Sequence, residues 1–228
     1  MRKSADQTRR LLIITTKAPV AGRAKTRLTT DFSPDSGEKL AFAFLTDLLR
    51  TATNPALQAT VWIALDGDAS ALPHEAQGLP IFPQSGNSLG ERMVNILEQG
   101  LKSGFEAVCL VGSDLPHLPL CFVQEAFGRL EAGAEATIGP TDDGGYYLVG
   151  LRTVRRELFE NIPWSHPDTF AETMKAAQTA AIQIATLPPW YDIDTAQDLQ
   201  RLNTDLQRGV ALAPETAATR FRYRQSEL

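Results

Sequence analysis

No apolar run in this chain of 228 residues approaches the ~20 residues that a membrane span needs. Behind the basic start MRKSADQTRR, only the six residues LLIITT come before Lys17. A secretory core needs about 7–15 apolar residues and a small-residue cleavage site, so a cytoplasmic protein is expected. Net positive charge is missing too. At −5, the chain lacks the basic footprint of a general nucleic-acid binder, although local charge still decides whether a small anion binds. Cysteine is scarce: Cys109 and Cys121 make no disulfide framework, and both are expected to be buried as small hydrophobes. The three histidines, His74, His117 and His166, show no metal-ligand spacing, and His117 is expected at the surface. Linkers, internal repeats and low-complexity segments are also missing. That leaves a single domain over 11–208, a flexible N-terminus at 1–10 and a C-terminal tail at 209–228.

What is present is a core's worth of apolar residues, 43% of the chain, in short runs that alternate with helical periods. Strands are expected at 11–16, 59–65, 107–113, 135–140, 145–151 and 181–187. A short edge strand is expected at 79–84, where prolines interrupt the run. Helices are expected at 33–53, 88–104, 120–133, 153–160, 167–179 and 195–208. The first starts at Ser33 and Pro34 and places Leu40, Phe44, Leu45 and Leu48 on one face. Continuous apolar strands alternating with helices predict an α/β fold, a Rossmann-like α/β/α sandwich around a mainly parallel, mixed sheet. Ligands of such sheets sit beyond the carboxyl ends of the strands. The unusual polar residues of this chain do fall just after strands.

The first such place is KAPVAGRAKTRL, residues 17–28. Lys17, Arg23, Lys25 and Arg27 stand there without an acid, with Gly22 for a tight turn and Pro19 to fix the backbone. Arginine forks onto phosphate oxygens and lysine acts as a movable point charge, so the loop suits a pyrophosphate. It is not a Walker A loop, because Lys25 comes three residues after Gly22 rather than directly after a glycine. A solvated basic turn is the bland alternative.

The carboxylates come later. Asp114 in LVGSDLPHLP is a candidate ligand for a hard divalent cation, whose shell water and phosphates would complete. The alternative is a turn or helix cap from Asp114 or Ser113. Asp142 and Asp143 precede Gly144 and Gly145, which suits either a tight turn or a close backbone approach by a ligand. In WYDIDTAQDL only one of Asp192 and Asp194 is expected to face the site, with Asp194 preferred and Asp192 a close rival. Asp194 or Thr195 could instead cap the following helix. Trp164, Tyr146 and Tyr147 could stack on a base or sugar, or simply fill the core. Ser113 lies in GSD rather than G-x-S-x-G, and no nucleophilic triad is readable.

Taken in order, KAPVAGRAKTRL, VGSDLPHLP, IGPTDDGGYYLVGL and DIDTAQDL resemble glycosyltransferase-A-type proteins of the nucleotide-diphospho-sugar transferase superfamily. The nearest likeness is to the bacterial selenodomain-associated or arsenosugar-biosynthesis glycosyltransferases. The guanylyltransferases for phospholactate and the molybdenum cofactor are more distantly similar. The resemblance spans about 11–208 and implies a bound nucleotide with Mg²⁺ or Mn²⁺. It implies that Lys25 and Arg27 contact the donor phosphates, with Lys17, Ala21, Gly22 and Arg23 in the same loop. It makes Asp114 the metal carboxylate beside Ser113, and Asp194 or Asp192 the second. Asp143, Gly144 and Gly145 would line the donor or acceptor pocket. Lys25 and Asp114 form the catalytic pair it implies.

The expected activity is metal-dependent transfer from a nucleotide sugar to a small-molecule acceptor. The alternatives are a nucleotidylyltransferase, in which an NTP meets a phosphorylated acceptor and pyrophosphate leaves, and a non-catalytic nucleotide-binding protein. Nucleic acid and a membrane span are not expected partners, and a homodimer is compatible with the reading.

Overall fold

In the run Leu11–Ile14 every side chain is buried: Leu11 and Ile13 enter one apolar cluster, Leu12 and Ile14 another. A strand buried on both faces belongs in the middle of a covered sheet, and there the computed structural model places it. The structure describes residues 9–20, 28 and 34–219. The strands are β1 (Arg10–Lys17), β2 (Thr60–Asp66), β3 (Ile81–Pro83), β4 (Ala107–Gly112), β5 (Ala136–Pro140), β6 (Tyr146–Leu151) and β7 (Ile184–Thr186). They lie in the order β3-β2-β1-β4-β6-β5-β7. Neighbours pair in parallel except that β6 runs against both β4 and β5. β3 forms one edge, as its prolines predict.

The helices are α1 (Pro34–Ala52), α2 (Leu89–Lys102), α3 (Leu120–Glu131), α4 (Thr169–Thr179) and α5 (Ala196–Gln207). α1 and α3 cover one face of the sheet through Leu45, Leu48, Val123 and Phe127. α2 and α4 cover the other through Val94, Leu97 and Ala177. This is the three-layer Rossmann-like sandwich expected. A third cluster joins Leu28 with Leu40 and Phe44 of α1, and with Tyr191, Ile193, Leu199 and Leu202 at α5. The N-caps are local chemistry. Ser88 Oγ accepts from Glu91 N at 3.1 Å to start α2, and Thr195 with Asp198 forms a capping box on α5.

Three expectations fail. The helix at 153–160 is only a single 3₁₀ turn, Arg156–Leu158. Arg155 supplies no capping side chain there, and Asn161 turns into the left-handed region at φ 60°. Cys121 is exposed while Cys109 is buried, because the buried face of α3 is Val123, Ala126, Phe127 and Leu130 and Cys121 lies off it. His117 is also buried, at 2% exposure. Beyond α5, residues 214–219 are helical, and Ala211, Ala213 and Thr216 are buried.

Candidate functional site

A cleft of about 900 Å³ opens at the carboxyl edge of the sheet, over β1 and β4. The chain proceeds outward from β1 to β2 and β3, then crosses back to β4. The connections from β1 and from β4 therefore lead to opposite edges of the sheet, and a crevice is left between the two strand ends. Lys17 closes β1 at the cleft wall. Ser113 and Asp114 follow β4, Asp143 and Gly145 lie in the β5–β6 turn, and Asp192 and Asp194 precede α5; all six line the cleft. Ala21, Gly22, Arg23, Lys25 and Arg27 of the basic loop lie outside the described residues. The residue after them, Leu28, is buried beside Ile193.

Asp192 and Asp194 both face the cleft, against the expectation of one. In extended chain, residues two apart share a face, and Ile193 between them is fully buried in the opposite direction. Thr195 takes the helix cap. Backbone bonds tie the acid-bearing segments together: Ile193 N donates to Asp114 O at 2.9 Å, and Asp142 N to Trp190 O at 3.2 Å. Burial pushes the Asp192 carboxyl up to about 7, and the charges of Asp194, Asp143 and Asp114 add to the effect. The four carboxylates lining the cleft offer hard oxygen donors, the chemistry that suits Mg²⁺ or Mn²⁺. Among the described residues, no three His, Cys, Asp or Glu side chains form a ready-made metal cage. The donor set therefore fits a cation that takes one or two carboxylates and completes its shell from water and phosphate.

The glycine pair divides its work. Gly145 lines the cleft, and its N–H donates to Asp143 Oδ1 at 3.1 Å, while Thr141 Oγ1 donates to the same oxygen at 2.5 Å. Gly144 sits at φ +88°, and a Cβ there would stand 1.8 Å from Pro167 O. Its role is close contact with the segment before α4, where Phe170 N donates to Gly144 O at 2.8 Å. Asp142 turns away to pair with Arg201 at 2.5 Å.

Sequence reasoning missed the far wall. Gln84, Asn87, Ser88 and Arg92 line the cleft after β3. Gln84 Nε2 donates to Thr16 O and Ala64 O at 2.9 and 3.0 Å, which fixes the amide across β1 and β2. The rule that sites follow strands points to these residues too, since an edge strand is expected at 79–84. Trp164 and His166 also line the cleft. Trp164 stacks on Phe159 with ring centroids 6.4 Å apart, and His166 Nδ1 accepts from Asp168 N at 3.2 Å. His117, by contrast, lies beneath the site against Tyr191 and Trp190, at 4.3 and 5.2 Å between centroids.

The strand order, the one reversed strand and the cleft over β1 and β4 define the Rossmann-like fold of the nucleotide-diphospho-sugar transferases. Within that class the chain belongs to the family described as "uncharacterized protein conserved in bacteria (DUF2064)", whose family model matches residues 47–166. It is similar to a provisional nucleotide-diphospho-sugar transferase of Desulfovibrio desulfuricans G20, with 31% identity over 83% of this chain and 84% of that one, at a TM-score of 0.74. A CMP:2-keto-3-deoxy-manno-octonic acid synthetase in complex with CTP shares the fold at 14% identity, 88% and 99% coverage and a TM-score of 0.55. A cytidylyltransferase of Leptospira borgpetersenii serovar Hardjo-bovis (strain JB197) does so at 12%, 97% and 96%, also at 0.55. No curated protein matches the chain. Among the described residues no helix is long and apolar enough to cross a membrane.

Proposed function

We propose that the cleft binds a nucleotide-activated donor through its phosphates, with Mg²⁺ or Mn²⁺, and transfers a glycosyl group to a small-molecule acceptor. One observation carries this reading: Lys17 and four carboxylates from three separate segments line a single cleft at the carboxyl edge of β1 and β4. Asp114 with Asp194 or Asp192 would hold the cation, which when bound neutralises and orients the phosphates. Lys17, and in this reading Arg23, Lys25 and Arg27, would offset charge growing on the leaving group. Lys17 on the cleft wall and Leu28 beside Ile193, at the two ends of the basic segment, support that placement. Asp143 and Gly145 would border the donor or acceptor. The narrower likeness, to selenodomain-associated and arsenosugar-biosynthesis glycosyltransferases, puts sugar transfer first. The reading also implies a cytoplasmic location. The cation-rich loop favours the second reading, nucleotidyl transfer from an NTP with release of pyrophosphate.

A thermal-shift panel of NTPs and nucleotide sugars, with and without Mg²⁺ or Mn²⁺, tests all of this. A bound nucleotide should stabilise by about 2.7 kcal/mol at 100 times Kd. Release of nucleoside diphosphate from a nucleotide sugar supports glycosyl transfer, and release of pyrophosphate supports the alternative. Asp114→Asn should abolish turnover in a folded protein; full activity in that variant, or no shift with any nucleotide, sinks the reading.

A further inference from the structure

The acid-bearing segment before α5 belongs to no strand: from Pro188 to Asp194 it is extended chain with one isolated bridge, between Thr141 and Trp190. Its backbone meets the β5–β6 turn through Trp190 N to Pro140 O at 3.0 Å and Asp142 N to Trp190 O at 3.2 Å. Like charges gathered in one cleft repel, so where the two segments meet matters to the arrangement of their carboxylates.

One arginine grips both sides of that junction. Arg201 Nη1 donates to Asp142 Oδ2 at 2.5 Å, next to Asp143. Its guanidinium carbon lies 3.7 Å from the ring centroid of Tyr191, next to Asp192. Tyr191 Oη donates to Asp205 Oδ2 at 2.6 Å. Arg201 and Asp205 are one helical turn apart, so the same face of α5 clamps Tyr191 at its ring and at its hydroxyl. The ring also packs on His117, with centroids 4.3 Å apart. Arg201 itself is not among the cleft-lining residues. An ion pair as exposed as Arg201–Asp142 contributes about 0–1 kcal/mol to stability, so its consequence lies in geometry. A guanidinium can lie flat on a ring while its edge donates to a carboxylate, and an ammonium cannot.

We propose that Arg201 is a positioning residue: by tying the 190–194 segment to the β5–β6 turn it holds Asp192 and Asp194 where one of them can share a divalent cation with Asp114. This rests on the metal-dependent reading above.

The test is Mn²⁺ affinity, read by electron paramagnetic resonance with Mn²⁺ alone and with Mn²⁺ plus UDP. The proteins are wild type, Arg201→Gln, Arg201→Lys, Asp142→Asn and a surface control, Arg129→Gln. Arg201→Gln is expected to weaken Mn²⁺ about tenfold, the effect usual for residues that orient metal ligands. Arg201→Lys, which keeps the ion pair and loses the flat stack, should fall between. Asp142→Asn should weaken binding in the same direction, and Arg129→Gln should match wild type. UDP affinity without metal should stay within about twofold throughout, which a general loss of structure would not allow. Mn²⁺ affinity within twofold of wild type in both Arg201→Gln and Asp142→Asn overturns the proposal; if Arg201→Gln does not fold, Asp142→Asn decides. Failure of the wild type to bind Mn²⁺ with either probe overturns the metal reading itself, and the clamp with it.

Discussion

Asp192 shows what it costs to gather acids in one cleft. An aspartate in an open chain titrates near 4, and in the fold burial and its neighbours push this one up to about 7. Between those values the native state holds a proton that the unfolded chain has released. Stability therefore falls as pH rises from about 4 to 7 and stays at its lower level above. The full cost is on the order of 4 kcal/mol. Asp192→Asn removes it. The metal-free variant should melt above wild type at pH 8, and the gap should close as pH approaches 4. His117 acts in the opposite sense, since burial pushes it down to about 3 and acid must charge it inside the core. It is present in both proteins, so the difference between their melting curves isolates Asp192. Equal melting temperatures at pH 8 would show that Asp192 ionises at no cost in the fold.

Among the elements, the β5–β6 turn matters most to the cleft, and Gly144 is its hinge point. Alanine at Gly144 meets two obstacles at once, a φ of +88° and a Cβ 1.8 Å from Pro167 O. The second is backbone, so the turn and the segment before α4 must separate. Gly144→Ala should lose more than about 2 kcal/mol. Its melting temperature should drop, with hydrogen exchange rising at Phe170 N, whose acceptor is Gly144 O. Unchanged exchange at Phe170 would place the strain elsewhere. The turn was legible as Asp-Asp-Gly-Gly, but its contact with Pro167 was not, because local sequence carries no record of what arrives from twenty residues away. The same limit runs through the rest of the fold. Long apolar strands such as β1 and β4 declare themselves, since burial on both faces leaves a continuous run. The edge strand at 79–84 was expected too, but Gln84, Asn87 and Arg92 at and beyond its end form no motif, and that polar wall passed unnoticed. His117 looked like surface because a polar residue between prolines reads as loop; its aromatic neighbours Trp190 and Tyr191 lie over seventy residues on. That only one of Asp192 and Asp194 was expected to face the cleft has a different reason, an error of period rather than of distance, since residues two apart in extended chain share a face.

At the scale of the whole molecule, α1 is held by the segment beyond α5. It presents Asp47, 3% exposed, to that segment. The carboxylate accepts from Glu215 N at 3.1 Å, and from Thr216 N and Thr216 Oγ1 at 2.8 Å each. These donors open the helix at 214–219, so Asp47 caps it from another element and meets the positive end of its dipole. Arg50, one turn along α1, bridges Glu75 and Glu215, each at 2.8 Å. Burial raises the Asp47 carboxyl, and the bonds from Thr216 and Glu215 draw it back down. Asp47→Ala leaves the buried N–H and hydroxyl of Thr216 and the part-buried N–H of Glu215 without their acceptor, at about 2–3 kcal/mol. For a chain of this size that is a fall of roughly 5–10 °C in melting temperature. Thr216→Val removes one of the three bonds and should cost about 1 kcal/mol. The two substitutions remove the same contact, so the double variant should be less destabilised than their sum by at least ~0.5 kcal/mol. Simple additivity in urea unfolding would mean that the C-terminal helix stays docked without the carboxylate, and that the chain's two ends are stabilised independently.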